Sequence, residues 1–337
     1  MAYAISVIMP VYKETEDWVR AAVESILAQT FSDFELILII DQPGRFALEA
    51  MLQQYVEQDE RLQLFTNEKN MGLPRTLNRG LSLAKGKYIA RMDADDIAFP
   101  ERLRRQFDFM EANQEVSLCG TQVIKIDERG RKIGRSHNET DFTLLKKVVP
   151  HINIVTHPTW LLRREVFQTI GDYRDMPGED YDFVLRMVAA GLKITNIDKP
   201  LLYYRVRTDS YTQVLSLEQK IGFKYTQELY KERLQTGKDR LDKEALMRRV
   251  ERAQRRYGEK QRRSQALLIK ARRKGAAGKR WQKNMLILSS FLASPVQRRY
   301  YIDWAQAYMI RQLHPAHSRL HALLRPLRQR NKPFKNQ

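Results

Sequence analysis

Strand and helix signals alternate along residues 5–110, and this alternation leaves few fold classes open to the chain. Apolar runs occur at Ile5–Met9, Phe34–Ile40, Leu62–Phe65 and Tyr88–Ala90, and segments with apolar residues at helical spacing separate them. Phe34–Ile40 is apolar at nearly every position, which is typical of a strand covered on both faces. The pattern predicts an α/β domain with a mostly parallel central sheet and crossover helices, whose ligands bind at the carboxyl ends of the strands.

Acidic side chains directly follow two of these apolar runs. Asp41 follows the second run, and Asp93, Asp95 and Asp96 follow the fourth. Because the carboxyl ends of parallel strands lie at one edge of a sheet, we expect the two groups to converge on one crevice. Burying several carboxylates there is costly unless a cation neutralises them. A divalent cation with oxygen ligands and a phosphorylated substrate would explain the cluster, and an acidic surface turn is the alternative.

Charge is distributed unevenly along the chain. Residues 211–337 contain 31 Lys and Arg against 9 Asp and Glu, whereas residues 1–210 contain 28 against 31. This difference predicts a boundary near Ser210, with a catalytic domain over residues 1–212 and a basic helical region over residues 213–337. The excess of positive charge indicates that the second region faces an anionic surface.

The expected compartment follows from the cysteine content and the hydropathy. The single cysteine, Cys119, excludes an intramolecular disulfide framework and fits a reducing compartment. No apolar stretch reaches the roughly 20 residues that a spanning helix needs, and the first residues do not resemble a signal peptide. We therefore expect a soluble or peripherally attached protein.

Five segments of the first 210 residues carry ordered motifs. They are Ser6–Tyr12, Ser25–Glu35, Asn70–Leu73, Asp93–Asp96 and Glu179–Asp182. In this order and at these separations they resemble the family 2 glycosyltransferases, whose catalytic domain has the Rossmann-like fold called GT-A. The resemblance implies an enzyme that transfers a sugar from a nucleotide diphosphate sugar and inverts the anomeric configuration.

The resemblance also implies roles for individual residues. Asp95 would be the direct ligand of Mn²⁺ or Mg²⁺, Asp93 would contact the ribose and the surroundings of the metal, and Asp41 would hydrogen-bond the nucleotide base. The metal would stabilise the leaving diphosphate as a Lewis acid. The residues predicted to bind the nucleotide sugar are Pro10, Val11, Tyr12, Glu14, Asp41, Asn70, Gly72, Arg75, Asp93, Ala94 and Arg207.

Asp180 is the predicted catalytic base, since the acceptor hydroxyl must lose a proton as it attacks the anomeric carbon. Glu179 and Asp182 are further candidates for a place near the reaction. The alternative is that these carboxylates only cap a helix beginning at Phe183 and stabilise its dipole. The motifs that precede them in order favour the catalytic interpretation. His157 is interpreted as a packing residue, with a place in the acceptor site as the alternative.

Three positions depart from the usual pattern of the family. Only one carboxylate, Asp41, follows the second apolar run, where two acidic residues are common. Arg207 stands where the family often has a histidine, and it could bind the diphosphate through its guanidinium group. Arg75 occupies a position that is usually small and could contact the nucleotide. These departures leave the donor nucleotide and sugar open.

The basic region predicts helices with dense cationic faces. Aromatic residues such as Trp281, Tyr300 and Trp304 are interleaved with arginines and short apolar stretches, a pattern that resembles an interfacial anchor on anionic lipid. A solvated helical bundle that packs on the catalytic domain is the alternative. Nucleic acid is the least favoured partner, because no recognised binding module is present.

The sequence thus favours an inverting, metal-dependent glycosyltransferase that uses a nucleotide diphosphate sugar, with UDP as the favoured nucleotide. Many members of the family act on lipid-linked acceptors at the inner face of a membrane. The resemblance therefore implies a lipid-linked or growing surface glycan as acceptor, and a cytoplasmic protein that is peripheral on the inner face of the cell membrane. A catalytically silent nucleotide-sugar-binding scaffold at the membrane is the alternative of a different class. A nucleotidyltransferase would need a glycine-rich phosphate loop near the N-terminus, and Pro10–Glu14 is not one.

Overall fold

A computed structural model describes residues 3–207, 216–276 and 278–313. Within these ranges the protein has one nine-stranded sheet, helices on both of its faces, and a helical region after it. The strands are β1 (Ile5–Val11), β2 (Phe34–Ile40), β3 (Leu62–Thr66), β4 (Tyr88–Arg91), β5 (Ile97–Ala98), β6 (Val116–Ile126), β7 (Lys132–Arg135), β8 (Leu161–Arg163) and β9 (Lys193–Arg205). The helices are α1 (Glu16–Leu27), α2 (Phe46–Gln58), α3 (Leu73–Leu83), α4 (Arg102–Ala112), α5 (Phe142–Val148), α6 (Val166–Ile170), α7 (Glu179–Ala189), α8 (Leu217–Thr236), α9 (Lys243–Ala276), α10 (Arg280–Ala293) and α11 (Pro295–Leu313).

The first half of the sheet is parallel, in the order β3-β2-β1-β4. Every side chain of β2 is buried, because helices cover both faces of the sheet. Apolar residues of α1, α2 and α4 pack on one face, and those of α3, α5 and α7 pack on the other. The predicted α/β architecture with a mostly parallel sheet is confirmed for this half.

The second half of the sheet mixes strand directions, in the order β4-β8-β6-β9-β5. β8 is antiparallel to both β4 and β6, whereas β6 and β9 run parallel to each other. β6 and β7 form an antiparallel hairpin, and Gly130, with φ of 78°, lies in the turn between them.

Two glycines with positive φ set the start of helices at the carboxyl edge of the sheet. Gly72, with φ of 82°, precedes α3, and Gly178, with φ of 83°, precedes α7. A Cβ atom on Gly178 would also lie 2.8 Å from the ring of Phe223, so the position needs glycine on two counts. The predicted start of α7 at Phe183 is wrong, because the helix begins four residues earlier and takes Glu179 and Asp180 into its first turn.

The helices that follow the sheet pack against it. α8 begins with a capping box formed by Ser216 and Gln219, and it packs closely on the segment before α7. α9 and α10 form an antiparallel pair in which the Ser264 and Ser290 hydroxyls hydrogen-bond at 2.8 Å. None of the described helices is both long enough and apolar enough to cross a bilayer. The predicted domain boundary at residue 212 lies outside the described residues.

Candidate active site

A cleft of about 1380 Å³ lies between the carboxyl edge of the sheet and the helices that follow it. The ends of β1, β2 and β4 and the first turn of α7 form one wall, and α8, α9 and α11 form the other. Eight of the predicted site residues line it: Pro10, Tyr12, Glu14, Asp41, Asn70, Gly72, Asp93 and Asp180. Asp41 and Asp93 therefore lie on one cleft, as the parallel topology predicts, whereas Asp95, Asp96 and Arg207 do not line it.

The acidic cluster at the end of β4 consists of Asp93, Asp95 and Asp96. One carboxylate oxygen from each lies within 4.8 Å of the others. Asp96 is buried, and its Oδ1 accepts a hydrogen bond of 2.8 Å from the backbone N–H of Arg205. Its Oδ2 has no hydrogen-bond partner in the described part of the chain. Burial raises the pKa of Asp95 to about 7, with further contributions from the charges of Asp93 and Glu14.

These observations test whether the cluster suits a metal. A buried carboxylate oxygen without a partner is costly, and two of the carboxyl groups resist ionisation because they are buried beside other negative charges. A bound cation would remove both problems, and carboxylate oxygens are the ligands that Mg²⁺ and Mn²⁺ prefer. The residues of the cluster therefore fit a divalent cation.

Arg207 lies beside this cluster. Its Nη1 is 3.9 Å from Oδ2 of Asp95 and 3.9 Å from Oε1 of Glu14, and its guanidinium group stacks over the ring of Trp18. Glu14 is fixed in turn by the backbone N–H of Tyr12, which donates to its Oε2 at 2.6 Å. The predicted group of Glu14, Asp95 and Arg207 is thus brought together in the structure.

Asp41 holds the loop that carries Asn70 and Gly72. Its Oδ1 accepts hydrogen bonds from Asn67 Nδ2 at 2.7 Å and from the backbone N–H of Met71 at 2.8 Å. Its Oδ2 accepts from the backbone N–H of Gly72 at 2.9 Å. The carboxylate therefore positions the loop, and its predicted contact with the nucleotide base stays a prediction.

Three other predicted residues do not contribute side chains to the walls of the cleft. Arg75 forms an ion pair of 2.7 Å with Asp175, whose Oδ2 also receives Lys243 of α9 at 2.5 Å. Arg75 thus links α3 to the helical region. The side chains of Val11 and Ala94 are buried in the core, so only their backbone atoms can reach a ligand.

Glu179 and Asp180 lie in the first turn of α7 and are partly buried. Asn153 Nδ2 donates to Oδ2 of Asp180 at 2.8 Å. Burial raises the pKa of Asp180, and burial together with the charge of Asp180 raises the pKa of Glu179 to about 8. Asp182 differs from both, because it is buried and paired with Arg186 at 2.8 Å. Its role is to fix the helix.

Residues that the sequence did not single out also shape the site. Arg91 lies at the end of β4, lines the cleft and forms an ion pair of 2.5 Å with Asp93. Asn153 contacts Asp180 from the segment after α5, and no local pattern marks it. His157, which the sequence did single out, is buried but also lines the cleft, and its Nε2 hydrogen-bonds the Tyr173 hydroxyl at 3.0 Å. Burial keeps the pKa of His157 well below its ordinary value, so the ring is neutral.

A sheet with an acidic cluster at the carboxyl end of a parallel strand, and with a carboxylate pair on the same wall of one cleft, is the architecture of the GT-A class of glycosyltransferases. The sequence model described as Glycosyl transferase family 2 matches residues 6–171. An uncharacterised glycosyltransferase of Methanocaldococcus jannaschii is 34% identical over 225 residues, which cover 66% of this chain and 77% of that protein. The chain belongs to glycosyl transferase family 2.

Two further relatives have names that refer to polysaccharide biosynthesis. The O-antigen biosynthesis glycosyltransferase WbnJ of Escherichia coli is 34% identical over 213 residues, which cover 61% of this chain and 81% of that protein. The amylovoran biosynthesis glycosyltransferase AmsE of Erwinia amylovora is 31% identical over 211 residues, which cover 60% of this chain and 77% of that protein.

Solved structures share the fold. The crystal structure of S. aureus TarS 1-349 in complex with UDP-GlcNAc matches with a TM-score of 0.56 and 16% identity, covering 98% of this chain and 93% of that chain. A longer TarS chain matches with a TM-score of 0.54 and 17% identity, and the match spans only 54% of its length. At these identities the likeness shows the fold alone. Asp180 lies beyond residues 6–171, so the family match does not bear on its role.

Proposed function

We propose that this glycosyltransferase is metal-dependent and inverting, and that it moves a sugar from a nucleotide diphosphate sugar, with UDP favoured, to a lipid-linked or growing surface glycan. The observation that carries the proposal is the placement of Asp93 of the acidic cluster and of Asp180 on one cleft, with a raised pKa at Asp180 and at Asp95 beside Asp93. The relatives named for O-antigen and amylovoran biosynthesis support the acceptor class. The TarS complex with UDP-GlcNAc supports the donor class.

On this proposal the donor diphosphate lies at the end of β4. Asp95 would be the direct metal ligand, with Asp93 and Asp96 completing the carboxylate set. When bound, Mn²⁺ or Mg²⁺ would supply Lewis-acid stabilisation of the charge that develops on the leaving diphosphate. Arg207 is near enough to the cluster to add a second positive charge.

The nucleoside would lie against the ends of β1 and β2. Pro10, Tyr12 and Asn70 line the cleft there, and Asp41 keeps the loop of Asn70 and Gly72 in place. Val11 and Ala94 would contribute through the backbone. Arg75 would act on the donor only through the position of α3, because its side chain is engaged with Asp175.

Asp180 would remove the proton of the attacking hydroxyl group. Its raised pKa makes it a stronger base than an ordinary aspartate, and the Asn153 amide orients one of its oxygens. Glu179, whose pKa is raised to about 8, would hold a proton beside it at neutral pH. A base on α7, separate from the acidic cluster at the end of β4, suits direct attack from the face away from the leaving group and therefore inversion.

The second wall of the cleft has the character of an acceptor site. Cationic and aromatic side chains of the helical region line it, namely Lys220, Lys224, Tyr257, Arg299, Tyr300, Trp304 and Arg311. Aromatic faces stack on sugar rings, and the cations suit a phosphate group between a glycan and its lipid. This wall supports a lipid-linked acceptor.

The helical region would also attach the protein to the inner face of the cell membrane. Trp281, Met285, Leu288 and Leu292 are exposed at helical spacing and form one stripe along α10, which we call the α10 stripe. The neighbouring helix α9 exposes many arginines, namely Arg248, Arg249, Arg252, Arg255, Arg256, Arg262 and Arg263. An apolar stripe beside a cationic helix suits an interface with anionic lipid.

Thermal unfolding with sugar nucleotides tests the donor site. UDP-, GDP- and dTDP-linked sugars are each added with and without Mn²⁺ to the wild type, to Asp95→Asn and to Asp108→Asn, an exposed control on α4. A ligand at 100 times its Kd should stabilise the fold by about 2.7 kcal/mol. We expect a metal-dependent shift with one nucleotide class in the wild type and the control, and its loss in Asp95→Asn. A shift that survives in Asp95→Asn would contradict the metal assignment.

A further inference from the structure

Arg91 is a buried cation that the proposed mechanism does not use. It is only 4% exposed, yet it lines the cleft. Its Nη2 is 2.5 Å from Oδ1 of Asp93, while its Nε and Nη1 have no hydrogen-bond partner in the described part of the chain. Buried guanidinium N–H groups without an acceptor are costly, and in native proteins they call for an explanation.

The backbone of Arg91 is held on both sides. Its N–H donates to the carbonyl of Trp160 at 3.0 Å, and its own carbonyl accepts from Nη2 of Arg102 at 2.8 Å. Side chains alternate between the faces of a strand, and Ile89 packs on the face that α7 covers. Arg91 is two residues further along β4, so its side chain is directed to the same side as Glu179 and Asp180.

The position of Arg91 lies between the two chemical groups of the site. It pairs directly with Asp93 of the acidic cluster, and its charge also acts on Glu179 and Asp180. The sugar of a nucleotide sugar must lie in this interval, because its anomeric carbon joins the diphosphate to the incoming hydroxyl group. Nε and Nη1 of Arg91 are therefore buried without a partner in the described part of the chain, beside the interval where the sugar ring would be.

We propose that Nε and Nη1 of Arg91 donate hydrogen bonds to ring hydroxyl groups of the donor sugar and so hold the sugar between the acidic cluster and Asp180. This inference rests on the proposed function. The sugar it selects is neutral, because Asp93 already neutralises the guanidinium and the charge of Asp180 disfavours another negative charge nearby.

Calorimetric binding of UDP, UDP-glucose and UDP-glucuronic acid in the presence of Mn²⁺ tests the inference. The variants are Arg91→Lys, which keeps the charge but loses the planar set of donors, and Arg163→Lys as the control. Arg163 is also buried, but its guanidinium group donates to Val116, Tyr88 and Met110, and it does not line the cleft. If the thermal unfolding experiment shows binding of GDP or dTDP sugars instead, the calorimetry uses that nucleotide, its neutral sugar conjugate and its acidic sugar conjugate.

We expect Arg91→Lys to bind UDP as the wild type does but to lose about tenfold of the affinity that glucose adds to UDP. Arg163→Lys should keep the additional affinity that glucose provides. The wild type should bind UDP-glucose at least about tenfold more tightly than UDP-glucuronic acid, a comparison that needs no variant to fold. An unchanged increment in Arg91→Lys, or equal binding of the acidic sugar, would overturn the inference alone. Failure of every sugar nucleotide to bind the wild type would overturn the proposed function with it.

Discussion

The adjacent carboxyl groups of Glu179 and Asp180, at the start of α7, differ in their hydrogen bonding and in their pKa. Asp180 accepts a hydrogen bond from Asn153, which favours its ionised form. Glu179 has no such help from Asn153, and its pKa is raised to about 8 by burial first and by the charge of Asp180 second. The pair can therefore hold one proton and one negative charge at neutral pH, which is the state a general base needs.

The raised pKa of Glu179 makes a prediction about stability. The carboxyl goes from an ordinary pKa of 4.5 to about 8 on folding, so the folded protein binds this proton more tightly than the unfolded chain. The free energy of unfolding should therefore fall as the pH rises through that interval. Glu179→Gln cannot ionise and should flatten this part of the curve. Tm measured from about pH 5 to about pH 9 checks it.

The exposed control for this measurement is Glu57→Gln on α2, which should keep the wild-type dependence on pH. An identical slope in the wild type and in Glu179→Gln would contradict the assigned shift.

At the same scale, the residues that sequence patterns could predict are those within the motifs. The short acidic segments that contain Asp93, Asp95 and Asp180 can be recognised from a few consecutive residues. Asn153 could not be predicted, because it meets Asp180 across 27 positions of the chain. Arg75 resembled a ligand-binding residue, but its engagement with Asp175, 100 positions away, depends on the tertiary fold.

At the scale of elements, the parallel half of the sheet followed from the apolar runs, because strands covered on both faces lose their polar alternation. The antiparallel strand β8 did not, since three residues carry too little pattern. The start of α7 was predicted four residues late. Its true start depends on Gly178 in the left-handed region, which precedes a run of carboxylates that the sequence also allows in a loop.

Gly178 allows a test of how that start supports the site. Gly178→Ala should destabilise the fold by more than the roughly 1–2 kcal/mol of a left-handed residue, because the new Cβ would also meet the Phe223 ring. Donor turnover should fall as well, because relieving the clash with Phe223 would move the start of α7 and with it Glu179 and Asp180. Gly237→Ala is the control, with φ of 78° and no atom within 4 Å of the new Cβ. Chemical denaturation measures the free energy of unfolding of each variant. An equal loss of stability in Gly178→Ala and Gly237→Ala would contradict the predicted clash with the Phe223 ring.

At the scale of the whole molecule, the cleft depends on helices that follow the catalytic sheet. The basic composition of residues 211–337 predicted an anionic partner, but it did not predict that α8, α9 and α11 would form a wall of the site. Composition indicates the charge of a helix, and the spacing of its apolar residues indicates which face is apolar. Neither determines how the helix packs on a sheet that is distant in sequence. The packing alternative and the lipid alternative are therefore compatible in one structure.

If the α10 stripe attaches the protein to the membrane, substituting its apolar residues should weaken binding to vesicles. The triple variant Trp281→Ser, Leu288→Ser and Leu292→Ser should bind vesicles of anionic phosphatidylglycerol at least about tenfold more weakly, because exposed apolar area is lost. Binding of the wild type should also weaken at high salt, since exposed cations contribute. Sedimentation with vesicles measures both. Phe46→Ser, an equally exposed aromatic position on α2, is the control. Unchanged binding of the triple variant would exclude this stripe as the attachment site.

The central claim is that Asp95 binds the metal and Asp180 acts as the base. Its most direct test is the turnover of the sugar nucleotide that thermal unfolding selects, measured as release of the nucleoside diphosphate. Asp180→Asn should bind the donor in the presence of Mn²⁺ but turn over about 10²- to 10⁴-fold more slowly. Asp95→Asn should lose metal-dependent binding and turnover together. If Asp180→Asn turns over at the wild-type rate, the carboxylate on α7 is not the base, and the proposed mechanism is contradicted.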